Sequence, residues 1–121
     1  LWRVPLDTVT GSGVLVDGTL FTAGYRKNKW WMALDWASGA IRSELKDLTT
    51  GAAIYAEGRL YCLDDRGAVG LIAVQGGELR PAGKFQLVQK RVQDAWAHPV
   101  LLDGRLYVRY HDTLYCYDVA Q

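Results

Sequence analysis

The sequence predicts an all-β fold made of three similar units of about 40 residues each, and three observations carry that reading. A six-residue stretch recurs: Val16-Asp17-Gly18-Thr19-Leu20-Phe21, then Ala56-Glu57-Gly58-Arg59-Leu60-Tyr61, then Leu102-Asp103-Gly104-Arg105-Leu106-Tyr107, with the glycines 40 and then 46 residues apart. Each copy sets an acidic residue and a glycine between short apolar runs. That is the chemistry of a tight hairpin, because glycine accepts positive φ and the acidic side chain can bond nearby backbone. No stretch sustains a helical period, so the short apolar runs read as strands.

Taken in order, Trp2 to Leu6 is a short extended segment, and Pro5 marks it as an edge strand. After the breaker Gly11-Ser12-Gly13, Val14–Val16 and Leu20–Ala23 flank the first turn. A basic loop, Gly24 to Lys29, leads to a third strand over Trp30–Leu34, whose aromatic content favours strand over helix. Asp35 to Gly39 is a turn and Ala40–Leu45 a fourth strand. The second unit repeats the order: Ala52–Tyr55 and Leu60–Leu63 around Glu57-Gly58, a turn at Asp64 to Gly67, Val69–Val74, and a fourth strand within Leu79–Val88. The third has Val100–Leu102, Leu106–Tyr110, a turn at His111-Asp112 and Leu114–Val119, with no fourth strand.

Four short strands per unit of this length is the pattern of a β-propeller blade. A sandwich is the structural competitor, but it gives no reason for one hairpin tip to recur at the same place in each unit. The expected architecture is therefore all-β: a partial β-propeller of about three four-stranded antiparallel blades in a single domain. Residues 11–46 and 51–88 form two blades, 96–120 an incomplete one, and 1–7 an outer strand of a neighbouring blade. Three blades do not close a ring, so the exposed blade faces are expected to be covered by the remaining blades of a longer chain or by a second copy in a homodimer. The absence of an initiating Met reads as a mature or excised piece.

Half of the 121 residues are hydrophobic, 22% are charged and the net charge is +1. That balance sets up no field favouring nucleic acid or anionic lipid. No apolar run is long enough to span a bilayer as a helix. Cys62 and Cys116 match no zinc spacing. They read as small buried residues with free thiols, since stacked sheets lie about 10 Å apart and a disulfide needs Cα atoms within about 7 Å.

The stretch Ala33-Leu34-Asp35-Trp36-Ala37-Ser38-Gly39 resembles the core of the pyrroloquinoline-quinone (PQQ) propeller repeat, Ala-x-Asp-x-x-Thr-Gly with a tryptophan four residues after the glycine. Ser43 stands where that tryptophan would be, whereas Trp2, 16 residues before Gly18, falls where a preceding repeat would carry its own. Tyr117-Asp118 keeps the register in the third unit, and Val74-Gln75-Gly76-Gly77 is a degenerate copy in the second. Residues 51–118 are similar to the C-terminal part of PQQ-like propeller proteins of bacterial cell envelopes. The resemblance implies a periplasmic or extracellular location. It also implies PQQ with calcium in full-length dehydrogenase relatives, and a family that includes alcohol dehydrogenases and an outer-membrane assembly scaffold. Fold alone does not choose among these.

No residue is assigned as catalytic, cofactor-binding or metal-binding. Asp17, Asp35, Asp103 and Asp118 occupy turn positions where bonding to backbone suffices, and Asp64-Asp65 reads as a solvated turn. Counting six back from each hairpin glycine gives Ser12, Ala52 and His98, which would open the innermost strands beside a central channel. The ligand-facing candidates are Ser12, His98, Trp96 and the basic residues Arg26, Lys29, Lys90 and Arg91, on connections sharing one end of the blades. Tyr25, Trp30, Trp31 and Trp36 are candidates for sugar stacking. The function expected is non-catalytic binding or scaffolding, with a small molecule or protein as ligand. The alternatives are a piece of a PQQ-dependent alcohol or sugar dehydrogenase whose catalytic blades lie elsewhere, and a carbohydrate-binding module.

Overall fold

The computed structural model describes residues 1–9, 11 and 13–120. Eleven strands form three antiparallel sheets. The first contains β1 (Val14–Val16), β2 (Thr19–Ala23), β3 (Trp31–Asp35) and β4 (Ile41–Leu45). The second contains β5 (Gly51–Ala56), β6 (Arg59–Asp64), β7 (Ala68–Ala73) and β8 (Arg80–Gln86), with a 3-10 turn at Gln75–Gly77 before β8. The third contains β9 (Val100–Leu102), β10 (Arg105–Tyr110) and β11 (Thr113–Asp118). Every sheet is a meander in chain order, and among the described residues the third has no fourth strand. Among the described residues no helix is long and apolar enough to cross a membrane. Residues 1–8 belong to no strand.

The three hairpins are built alike. Asp17, Glu57 and Asp103 have φ of 46°, 49° and 49°, and the glycines after them 74°, 77° and 70°. Positive φ at both central residues marks a type I′ turn, whose twist matches that of the strands it joins. The carbonyl of each hairpin glycine then accepts a backbone N–H from just past the third strand: Trp36 to Gly18 at 3.0 Å, Val74 to Gly58 at 3.0 Å, Val119 to Gly104 at 2.8 Å. One hydrogen bond thus ties the tip of each hairpin to the end of its third strand. The pairing of third with fourth strand shifts register between Ala33 and Leu34 and again between Leu71 and Ile72, the same place in both units.

Strand alternation divides the core in two. Phe21, Ala23, Trp31, Ala33 and Leu45 of the first sheet pack against Leu60, Cys62, Ala68 and Ile72 of the second. The neighbouring residues Tyr61, Leu63 and Val69 face the other way and pack against Leu106, Val108, Tyr110 and Tyr117 of the third. A strand with successive residues on opposite faces lets one sheet serve two interfaces. Gly70 lets the first interface close, because a Cβ there would meet Leu48 at 2.2 Å.

The cysteines are free, but only Cys62 is buried. Cys116 is exposed, against the expectation of two buried thiols, because β11 lies on the sheet with no neighbour on its outer face. Burial, and secondarily the charge of Asp64, pushes the Cys62 thiol far above its ordinary range. In the native protein a thiol reagent should therefore reach Cys116 more readily than Cys62, which should react only on unfolding, and denatured protein without reductant should titrate two groups. Replacing Gly18, Gly58 or Gly104 with Val should each cost about 1–3 kcal/mol, measured by thermal melting, because a β-branched residue resists positive φ. Gly104→Val should cost most, since a Cβ there already comes within 2.9 Å of the Ala120 methyl, whereas nothing lies within 4 Å of one at Gly18.

Candidate functional site

Strand order puts all the loops between second and third strands, and all the connections between sheets, at one end of the stack. Asp64 and Asp65 are the joint there. Asp64 is 3% exposed. One of its carboxylate oxygens accepts the backbone N–H groups of Arg66 at 3.0 Å and Ala68 at 2.8 Å, and the other that of Thr49 at 3.3 Å. Asp65 accepts the Thr49 hydroxyl, donates its N–H to Thr50 O at 2.8 Å, and accepts Ala95 N–H on its carbonyl at 3.1 Å. The pair is buried, so the expectation of a solvated turn is wrong. The Asp64 carboxylate is held by backbone donors of its own turn and of Thr49, in the connection that precedes β5, the Asp65 carboxylate by the Thr49 hydroxyl, and the backbone of the same turn reaches the connection that precedes β9.

Tyr110 holds the second connection. Its hydroxyl accepts N–H from Val92 at 2.9 Å and Gln93 at 3.1 Å and donates to Gln93 O at 2.9 Å. Beside it, Gln93, Asp94, Ala95, Trp96, Ala97, Arg109 and His111 line a cavity of about 230 Å³. Trp96 is half exposed there, and Arg109 donates to His111 O at 3.0 Å, with His111 at a φ of 52°. Arg91 pairs with Asp94 on the adjoining surface.

The sequence candidates divide accordingly. Trp96 and Arg91 come to this one connection, and Lys90 is exposed just before Arg91. His98 is exposed two residues past Trp96 and is not part of the cavity lining. Arg26 and Lys29 stay in the loop between β2 and β3: Asp7 accepts the N–H of Arg26 at 3.0 Å, and the Lys29 ammonium lies 5.4 Å from the Tyr25 ring centre. Ser12 lies outside the described residues. The four aromatics share no stacking platform. Trp31 is buried and donates to Thr49 O at 3.0 Å, while Trp36 lies at the other end of the sheet, edge-on to Trp2 at 5.9 Å.

At that opposite end a more polar cleft of about 360 Å³ opens between the first two hairpin tips, lined by Asp17, Thr19, Arg42, Tyr55, Gln75 and Gly77 among others. Nearby, Asp35 accepts the N–H of Ser38 at 2.8 Å and its hydroxyl at 3.0 Å, and pairs with Arg42. The Ser38 donors, and more weakly Arg42, hold the Asp35 carboxyl below the usual carboxylate range.

A further feature is the outer face of the third sheet. Val100, Tyr107 and Cys116 lie side by side across it, as do Leu102, Arg105 and Asp118, and Arg109 and Leu114. Val100, Leu102 and Leu114 are 52%, 58% and 65% exposed. The matching positions of β2 and β3, Phe21, Ala33 and Trp31, are at most 1% exposed, because the second sheet covers them. Sequence reasoning located this face only as an end of the stack. Its residues follow from strand parity once the register is known.

No protein-family model matches the sequence, and no curated protein matches it. Solved structures do. A quinohemoprotein alcohol dehydrogenase, ADHIIG from Pseudomonas putida HK5, superposes with a TM-score of 0.67 at 17% identity, covering 88% of this chain and 17% of that one. BamB from Moraxella catarrhalis superposes with a TM-score of 0.54 at 14% identity, covering 93% of this chain and 47% of that one. The chain therefore has the fold of the PQQ-repeat type of β-propeller, as three consecutive sheets that do not close, and spans less than half the length of either neighbour. Among the described residues no three His, Cys, Asp or Glu side chains come together to hold an ion, and the buried Asp64 carboxylate is taken up by backbone donors.

Two predictions follow from this geometry. Tyr110→Phe should cost about 0.5–1.5 kcal/mol on thermal melting and raise amide exchange at Val92 and Gln93, because two part-buried N–H groups lose their acceptor. An NMR titration should find Asp35 with a midpoint below the ordinary 3.8. A depressed folded-state pKa contributes stability that is full above the unfolded value and is lost as pH falls through the folded one. Asp35→Asn should therefore weaken the acid dependence of melting below about pH 4.

Proposed function

We propose that this chain is a non-catalytic binding and scaffolding unit of a PQQ-like β-propeller protein of the bacterial envelope, and that it works by stacking. The single observation behind this reading is the outer face of the third sheet. Positions buried in the first interface are repeated there as Val100, Tyr107, Leu114 and Cys116 and left open, and apolar patches of this kind mark contact surfaces. The partner with matching geometry is another sheet of the same kind, about 10 Å away. The cavity at Trp96, Arg109 and His111 offers an aromatic surface and a guanidinium for a small polar ligand as a secondary role.

A second reading, favoured by the superposition on the quinohemoprotein alcohol dehydrogenase, is a segment of such an enzyme whose cofactor is held by other blades. The non-catalytic reading of this chain is tested directly. Incubating the 121-residue chain with PQQ and calcium, then assaying dye reduction with alcohols and aldoses, should give no turnover above free cofactor and no change in the PQQ spectrum. Saturable uptake with turnover would overturn the non-catalytic reading.

A further inference from the structure

We propose that the cleft between the first two hairpin tips binds a neutral saccharide, with the sugar ring laid on Tyr55 and its hydroxyl groups shared between the Asp17 carboxylate and the Arg42 guanidinium. The inference is independent of the stacking reading above. The cleft lies between the first and second sheets, which pack on each other, so it stands whatever covers the outer faces of the stack.

The residue that sets this cleft apart is Arg42. Ser43 pairs with Ala33 and Ile41 with Leu34, so Arg42 is the extra residue of a bulge in β4. A bulged residue has no partner across the ladder, and its side chain is aimed differently from its neighbours. The second sheet has its bulge at the same place: Gly83 pairs with Leu71 and Pro81 with Ile72, which makes Ala82 the extra residue. The chain thus repeats the backbone irregularity and exchanges a guanidinium for a methyl group. Tyr55 differs in the same way. It pairs with Leu60, and the residue that pairs with the matching Leu106 is Leu101. These polar groups are therefore a property of this one interface and not of the repeat.

Arg42 is held in place before any ligand arrives. One terminal nitrogen pairs with Asp35 and the other lies 3.4 Å from the buried Thr19 hydroxyl, which leaves further N–H groups for the cleft that Arg42 lines. Asp17, at the tip of the first hairpin, lines the same cleft, and among the described residues nothing bonds its carboxylate. The Gln75 amide nitrogen lies 3.5 Å from where a Cβ on Gly58 would be. Tyr55 is 38% exposed and supplies an aromatic surface. The volume of about 360 Å³ falls in the range of small-ligand sites.

Charge selects the ligand class. Asp35 neutralises Arg42 and Asp17 adds a negative charge, so the cleft gathers no anion. Its groups match a molecule whose polar groups each donate and accept around an apolar face. A sugar hydroxyl donates to Asp17 while accepting from Arg42 or Gln75, and the C–H face of the ring rests on Tyr55.

NMR titration with glucose, galactose, mannose, N-acetylglucosamine and cellobiose, each to tens of millimolar, tests this. At least one should bind saturably, with amide shifts centred on Gly18, Gly58, Gly76 and Gly77. Asp17→Gly accepts the φ of 46° without strain and Tyr55→Ala changes an exposed side chain, so both should fold. Each should weaken binding about tenfold, on the order of one charged hydrogen bond or one ring contact. Three outcomes would overturn the proposal: no saturable shift with any neutral sugar, shifts centred elsewhere such as the cavity at Trp96, or binding unmoved by both variants. Binding of glucuronate or glucosamine without binding of any neutral sugar would overturn it too, because charge and not the hydroxyl pattern would then be read.

Discussion

Each sheet of this molecule is apolar on both faces, and most of its structure follows from having to bury both. The second sheet meets the requirement fully: Leu60, Cys62 and Ile72 go one way, Leu63 and Val69 the other. The first sheet meets it on one side with the second sheet; on the other, Met32 and Leu34 are each 1% exposed, and Trp2 and Asp7 bond to the loops at the two ends of β3. The third sheet meets it on one side only. A strand alternates because its geometry allows nothing else, so a two-faced sheet always transmits the demand for burial to its neighbour. Such a stack has no natural end short of a ring or a cover.

Alternation alone does not set the order or spacing of the sheets. That comes from the turn at Asp64 and Asp65, which takes hydrogen bonds from the connections on both sides of its own sheet. A buried carboxylate is costly unless its oxygens are satisfied, and here the donors are backbone N–H groups of Thr49, Arg66 and Ala68. The carboxylate therefore fixes both the path of its own turn and the place where the preceding connection ends. Tyr110 does the same for the following connection with one hydroxyl. The candidate site at Trp96 sits on a connection pinned in this way at Ala95 and at Gln93.

What was legible in the sequence was whatever repeats. The hairpin tips could be placed because Asp-Gly and Glu-Gly between apolar runs leave one low-energy turn, and the strands followed from them to within a residue or two. Features made by a single copy were not legible. Asp64 looks like any charged turn residue, because nothing local says that Thr49, 15 residues earlier, will donate to it. Cys116 alternates as regularly as Cys62, and its exposure depends on which sheet lies beside it. Trp31 and Trp36 look equally fit for ligand stacking, yet one is core and the other edges a turn.

The departures from the repeat show how a degenerate motif keeps its fold. Over the turn at Gly39, the Trp2 ring lies so close that a Cβ would meet it at 2.5 Å, and its indole donates to the turn carbonyl of Trp36. The corresponding glycine of the second sheet is Gly77, and no tryptophan precedes it at the right distance, since Ser43 takes that place. A Cβ at Gly77 would instead meet the Thr19 hydroxyl at 2.9 Å and the Arg42 guanidinium at 3.4 Å. Arg42 is anchored by Asp35 and stays 3.4 Å from the Thr19 hydroxyl, so a planar cation occupies the position of a planar ring. A guanidinium fills less space than an indole, and the remainder is the polar cleft bounded by Arg42, Tyr55, Gln75 and Gly77. The substitution keeps the turn covered and leaves an open polar hollow beside it. A weak repeat of this kind keeps its sheets stacked while each interface acquires its own surface chemistry.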